Sequence, residues 1–324
     1  GVDIGDTLAD AETPEPLQII EIDDPTLSMN FRPNDSPGYG QEGKYVTNRQ
    51  VRDRLFREAE RDVALRVEDA LEGFKVSGRG ILHLSILMEN MRREGFEFMV
   101  GQPQVIYKEI GGKKAEPVEI LTVDVPNDLA GTVIEYAATR KGDMIKMEQK
   151  QERTYLEFHI PSRGLIGFRS KMLRATAGQI VMHHRYHQYE YFKGSIPERT
   201  NGSIISMHPG KAIAFALDGL QDRGVFFIEA GENLYTGQII GEYTKDDDLV
   251  VNAQKAKQLS NMRASGSDRK MKIAPPLKMS LEEALEYLNH DEFVEVTPLS
   301  IRLRKALLDE NDRKKAAKRA KLSE

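Results

Sequence analysis

Hydrophobic residues recur at helical and strand spacings in two successive blocks of the chain, and a third block keeps mainly the strand spacing. In the first block, Leu17–Ile22 reads as a strand, Asp23-Asp24-Pro25 as a turn, and Met29 and Phe31 lie on the next strand. A loop rich in Pro, Gly, Asn and Asp runs from Pro33 to Gly43. Val51, Leu55 and Ala59 then fall at i, i+4 and i+8, which predicts a helix with Asn48 as its N-cap. Val63, Leu65 and Val67 alternate as a strand whose hairpin partner starts at Phe74 and Val76. A second helix carries Leu84, Leu87, Met88 and Met91 on one face and stops at Gly95; Gln104–Lys108 reads as the closing strand. The order β-β-α-β-β-α-β predicts a ferredoxin-like sandwich.

Gly111-Gly112-Lys113-Lys114 reads as a linker, after which the pattern begins again. Val118–Val125 is a strand, and Asn127 or Asp128 caps a helix carrying Leu129, Val133 and Tyr136. Met144–Gln149 pairs with Tyr155–Ile160, a helix carries Leu165, Phe168 and Met172 as far as Gly178, and Ile180–Tyr191 is the last strand. Phe74-Lys-Val-Ser-Gly-Arg-Gly-Ile-Leu corresponds to Phe158-His-Ile-Pro-Ser-Arg-Gly-Leu-Ile, so one fold unit is duplicated. After Gly194 short strands are expected at Ser203–Met207, Ala212–Leu217, Val225–Glu229, Gln238–Tyr243 and Leu249–Asn252. Ser280-Leu-Glu-Glu283 is a capping box that opens a helix, and Phe293–Val296 and Ile301–Arg304 close the unit. The predicted class is α+β: two ferredoxin-like β-α-β sandwiches, residues 12–110 and 115–195, followed by a small β-rich C-terminal domain, 196–324. Residues 1–11 read as the tail of a preceding unit.

Composition narrows the function classes. The 324 residues are 40% hydrophobic and 30% charged, with a mean hydropathy of −0.50, which suits packed, water-exposed domains. No apolar run is long enough to span a bilayer and no leader is recognised, so neither membrane nor secreted protein is expected. The absence of cysteine excludes disulfides, thiol nucleophiles and cysteine-held zinc, and fits a cytoplasmic protein.

The net charge of −5 conceals an asymmetry. Residues 253–278 hold seven bases against Asp268, for +6, and residues 298–324 hold nine bases against four acids, for +5. The rest of the chain therefore carries −16. An acidic body with two basic segments points to a polyanionic partner, nucleic acid first among them. The tail over 309–321 orders its acids before its bases, as a helix dipole favours, but has no apolar stripe and is expected to fray.

Motifs for chemistry are few. Gly38-Tyr-Gly-Gln-Glu-Gly-Lys44 fits Gly-x4-Gly-Lys, but Tyr45 stands where a phosphate loop needs a magnesium-binding hydroxyl, and Arg32-Pro-Asn-Asp-Ser-Pro37 stands where a buried strand should lead into it. Neither GTP nor ATP hydrolysis is expected of this chain. His183 and His187 would share one strand face about 13 Å apart, too far to hold one ion, so no metal is expected there. His83 reads as a packed histidine and Asp246-Asp247-Asp248 as a solvated hairpin tip. Two rivals to RNA binding remain open, a metal-dependent enzyme using His183–His187 and a protein-only scaffold.

Gly78-Arg-Gly-Ile-Leu-His-Leu-Ser-Ile-Leu through Met91-Arg-Arg-Glu, with Gly101–Glu109, resembles domain III of elongation factor G and related translational GTPases. The repeat with Pro161-Ser-Arg-Gly-Leu-Ile-Gly-Phe168 resembles their domain V in its BipA/TypA version. Gly43–Gln50, Leu259–Gly266 and Glu295–Arg302 look like further hallmarks of that family, so nearly the whole chain is covered. The resemblance is to the C-terminal part of the family alone, and it makes residues 1–11 the end of a preceding β-barrel. It implies a ribosome-binding factor in large-subunit biogenesis and stress, whose GTP and magnesium are held by an N-terminal domain absent here. It further implies a monomer whose C-terminal domain meets large-subunit rRNA and the A-site tRNA. Carried onto this chain, the RNA-binding set is Lys255, Lys257, Asn261, Arg263, Ser265, Arg269, Lys270 and Lys272 in the loop. Arg163, Arg169, Lys171 and Arg174 join them from the second repeat. Ala264-Ser-Gly-Ser267 would leave that loop flexible until RNA orders it.

Overall fold

The structure is a computed structural model that describes residues 7, 9–15, 24–197, 199–256 and 273–323. The expected strand at Leu17–Ile22 lies outside them. The first module runs β1 (Leu27–Pro33), α1 (Asn48–Ala59), β2 (Arg66–Ala70), β3 (Gly73–Gly78), α2 (Ile81–Glu94), β4 (Phe98–Gly101) and β5 (Gln104–Val105). Its strands are ordered β4-β1-β3-β2 and its helices cover one face, as in a ferredoxin-like sandwich. The second module has β6 (Lys108–Ile110), β7 (Lys113–Pro126), α3 (Ala130–Thr139), β8 (Asp143–Lys150) and β9 (Arg153–Pro161). It continues with α4 (Ser162–Leu165), α5 (Phe168–Ala175) and β10 (Val181–Tyr191). The order β10-β7-β9-β8 repeats the same topology.

The third module contains β11 (Ser203–Ser206), β12 (Gly210–Lys211), α6 (Ala214–Asp218), β13 (Gly224–Phe226), β14 (Asn233–Leu234), β15 (Gln238–Tyr243) and β16 (Leu249–Val251). It ends with α7 (Leu281–Tyr287), β17 (Glu292–Val296), β18 (Ile301–Lys305) and α8 (Glu310–Ser323). The fold class is α+β, as the sequence indicates. The third module is not a separate sheet, however. β17 pairs antiparallel with β4, Val294 opposite Val100, so among the described residues one eleven-stranded sheet runs from β16 to β2. Its core is continuous too: Phe31, Leu55, Met88 and Phe98 pack in one cluster with Leu285, Val294 and Leu303. The second module keeps its own core of Leu121, Phe158, Phe168 and Met172.

Several local expectations change. Phe98-Met-Val-Gly101, not Gln104–Lys108, is the closing strand of the first sandwich; β1 and β17 take its two edges, and all four residues are buried, Phe98 and Val100 in the shared core and Met99 against Arg304. With both faces covered, the alternation that marks a half-exposed strand disappears. Gly111 and Gly112, with φ of 58° and 75°, form a hairpin turn between β6 and β7 instead of a linker. Thr47, not Asn48, caps α1 through a complete capping box with Gln50. Neither Asn127 nor Asp128 caps α3, as Asn127 Nδ2 donates to Gln151 O instead. Ala214–Asp218 is helical, where a strand is expected over Ala212–Leu217.

The helix after β9 is broken. Gly167 adopts φ 72° between α4 and α5. The carbonyls freed by the break, Gly164 O and Ile166 O, accept from the Arg140 guanidinium at 3.0 and 2.7 Å. Burial pulls the Arg140 pKa below its ordinary value.

Candidate nucleic-acid interface

The basic segment leaves and re-enters the third module beside one small core. Ala253 is fully buried, and its carbonyl accepts from Ile213 N at 2.9 Å. At the other end Ile273 packs on the same cluster of Ile204, Leu217 and Phe226, and Leu277 N donates to Phe226 O at 2.8 Å. Lys255 is exposed at the exit, whereas Lys278 forms a 2.7 Å ion pair with Glu229 at the return. Lys257, Asn261, Arg263, Ser265, Arg269, Lys270 and Lys272 lie outside the described residues, as does the expected flexibility of 264–267.

The bases of the second module divide by exposure. Arg169, Lys171 and Arg174 are exposed on α5, and the last two line a cleft of ≈ 1000 Å³ bounded by all three modules. Arg163 is different. Its guanidinium is turned to the fully buried Glu116 and to Gly194 O, and its face lies 4.6 Å from the Phe192 ring. It is a structural cation, already neutralised, and not an open contact for RNA. The sequence did not single out Arg140 or Arg199, which also line the cleft. Arg199 is committed as well, pairing with Glu292 at 2.8 Å and lying over Tyr287 at 4.0 Å. On the opposite wall Glu286 has its pKa raised, chiefly by burial, and accepts from Ser170 Oγ at 2.6 Å.

The basic tail loses three of its charges to the interior. Arg302 pairs with Glu42 and Glu295, the buried Arg304 with Asp35, and the buried Lys305 with Asp248, Asp291 and Glu292. Asp248 is thus an anchor and not part of a solvated tip. The remaining tail bases ride on α8, which is continuous where fraying was expected. Lys314, Lys315, Lys318 and Arg319 are all exposed on it.

The glycine loop at 38–44 does bind an anion, but the anion belongs to the protein. Gly40 N, Glu42 N and Gly43 N donate to the Glu97 carboxylate at 2.8, 3.0 and 2.6 Å, and Glu97 is fully buried. With Tyr45 in place of a magnesium-binding hydroxyl and Glu97 in the cradle, these residues do not fit GTP and magnesium. A second buried carboxylate, Glu295, accepts from Ser36 Oγ, Asn34 Nδ2, Tyr235 Oη and Arg302 Nη1. Burial first, then the Glu295 charge, pushes the Tyr235 phenol well above its usual range. Glu42 meets Thr297, Ser300 and Arg302. The hallmark stretch Glu295–Arg302 therefore serves the joint between the first and third modules, whereas Gly43–Gln50 closes the glycine loop on Glu97 and caps α1 within the first.

The histidine run is reorganised by a bulge between Tyr186 and Gln188, which leaves His187 without a Cα partner on β7. His184 Nδ1 lies 2.5 Å from Glu119 Oε2, and this bond raises the His184 pKa above its ordinary value. His187 instead meets His159 of β9, with ring centroids 4.5 Å apart.

Comparison with known proteins agrees with this architecture. Residues 113–200 match the elongation factor G C-terminus and residues 201–310 the TypA/BipA C-terminal domain. The chain is 50% identical over 319 residues to the large ribosomal subunit assembly factor BipA of Salmonella typhimurium (strain LT2). It is 49% identical to the protein of that name from Escherichia coli K12 and 46% identical, over 324 residues, to that of Bacillus subtilis. These alignments cover 97–99% of this chain but 53% of each relative, so the chain spans about half the length of the curated relatives it matches. With the family's C-terminal domain following an elongation factor G C-terminus, the chain belongs to the BipA/TypA family and corresponds to its C-terminal part.

Proposed function

We propose that this chain is the ribosome-engaging part of a large-subunit assembly factor. It contacts large-subunit rRNA and A-site tRNA through the basic segment 253–278, with Arg169, Lys171 and Arg174 of α5 as a second contact. One observation carries the reading: a +6 segment rises from a single small core at Ala253 and Ile273, while the other conspicuous bases at Arg163, Arg302, Arg304 and Lys305 are spent on internal carboxylates. Phosphate contacts by such a segment release counterions and supply affinity. Arg263 is the leading contact, since a guanidinium both forks onto phosphate and stacks on an unpaired base. Ribosome biogenesis and stress are the setting, in the cytoplasm and with the chain as a monomer. Hydrolysis of GTP belongs to a domain outside this chain.

Co-sedimentation with large ribosomal subunits tests this. The combined Lys257→Ala, Arg263→Ala, Arg269→Ala and Lys270→Ala variant is expected to lose affinity and to flatten the slope of log affinity against log salt by about 3. Its melting temperature should stay near that of the parent. Arg263→Ala alone should cost about 1–3 kcal/mol of binding. A quadruple variant that binds like the parent at physiological salt would move the assignment to α8.

A further inference from the structure

The second module gathers a set of metal-ligating side chains that its sequence spacing conceals. β9 and β10 both pair with β7 and so flank it. His187 of β10 meets His159 across β7, and the bulge that follows Tyr186 shifts the register so that Glu190, opposite Glu116, joins the same face and closes the group. One donor atom from each of His159, His187 and Glu190 lies within 4.8 Å of the other two. We propose that these three residues form a binding site for a divalent transition-metal ion of the Zn²⁺ class.

The donor set argues for that class. Two imidazole nitrogens and one carboxylate suit zinc or its neighbours, whereas magnesium and calcium prefer oxygen donors throughout. Ligand atoms of a tetrahedral zinc site stand about 3.4 Å apart, so rotation of the side chains by roughly an ångström closes the set. Three protein ligands leave one position for water or a fourth donor. Asp143 is placed to supply it, since it pairs in register with His159 on the neighbouring strand. The cluster already holds a cation: the Lys193 ammonium bridges Glu190 at 3.0 Å and Asp143 at 2.7 Å. A metal ion would displace that ammonium and tie β9 to β10 across the central strand. His183, four residues earlier, pairs opposite Thr122 and takes no part.

Calorimetric titration of the tag-free chain with Zn²⁺ alone tests the site. The expected result is one ion per chain, with binding weakened tenfold or more in His159→Gln and in His187→Gln. His183→Gln should bind as the parent does. Circular dichroism of the variants in chelator should match the parent, which separates lost ligation from lost folding. Zinc should also raise the parent's melting temperature and leave that of the His159→Gln, His187→Gln double variant unchanged. Absence of stoichiometric binding, or binding that survives in the double variant, would overturn the proposal.

Discussion

At the scale of single residues, buried carboxylates decide more than the apolar residues beside them. Glu97 is fully buried and accepts from three backbone N–H groups of the glycine loop, so the loop is ordered by the charge it encloses. A Cβ on Gly43 would fall 2.3 Å from Glu97 Cγ, and that side chain cannot retreat without giving up its donors. Gly43→Ala should therefore destabilise the chain by about 1–3 kcal/mol in urea titration. His184 offers a pH test. Its pKa is raised by Glu119, so the stabilisation is fully present below the ordinary imidazole value of about 6.5 and fades as pH rises through the higher folded value. The side chain is 50% exposed, which limits the effect to about 0.5–1 kcal/mol. Compared with the parent, His184→Gln should be less stable at acidic pH and equally stable in alkali; a pH-independent difference would contradict the assignment.

At the scale of elements, caps and breaks follow hydrogen-bond geometry that residue type alone leaves open. Asn48 is as good a cap by composition as Thr47, but Thr47 has extended dihedrals, and Gln50 stands three residues on to return the bond. Thr47→Ala should cost about 1 kcal/mol in chemical denaturation. Asn48→Ala, at the first helical position, should change stability by about 0.5 kcal/mol or less. The break at Gly167 likewise depends on a distant partner, since the Arg140 guanidinium replaces the helical bonds that the break removes. The bulge in β10 brings Glu190, opposite Glu116, onto the face that His183 and His159 occupy, and no spacing rule carries across such a shift in register.

At the scale of the whole molecule, the first and third modules share a sheet and a core, and the second stands apart with its own. Scanning calorimetry should then show two transitions and not three. Leu55 and Leu285 are far apart in sequence yet both fully buried in the shared cluster. Leu55→Ala and Leu285→Ala should each lower the same transition, by an amount equivalent to about 2–5 kcal/mol, and Leu121→Ala the other. Three transitions, with the first two variants acting on different ones, would contradict a common unit. The same union explains why Arg302 and Arg304 turn inward. They cross from β18 to the Glu42 and Asp35 carboxylates of the first module's loop.

The sequence by itself determined the duplicated ferredoxin-like plan, because that plan is written in local periodicity. Leu84, Leu87, Met88 and Met91 repeat on one helix face, and the Arg-Gly turns follow corresponding strands. It also located the net positive charge at 253–278, which depends on composition alone. Only the tertiary structure decided where the sheets join, which bases are already neutralised, and what fills the glycine loop. Phe98–Gly101 loses its alternation because another module covers it, Arg163 loses its freedom to Glu116, and Gly40–Gly43 close on Glu97. Each of these outcomes rests on a partner distant in sequence or in another module, and burial and charge pairing are set by that partner and not by neighbours along the chain.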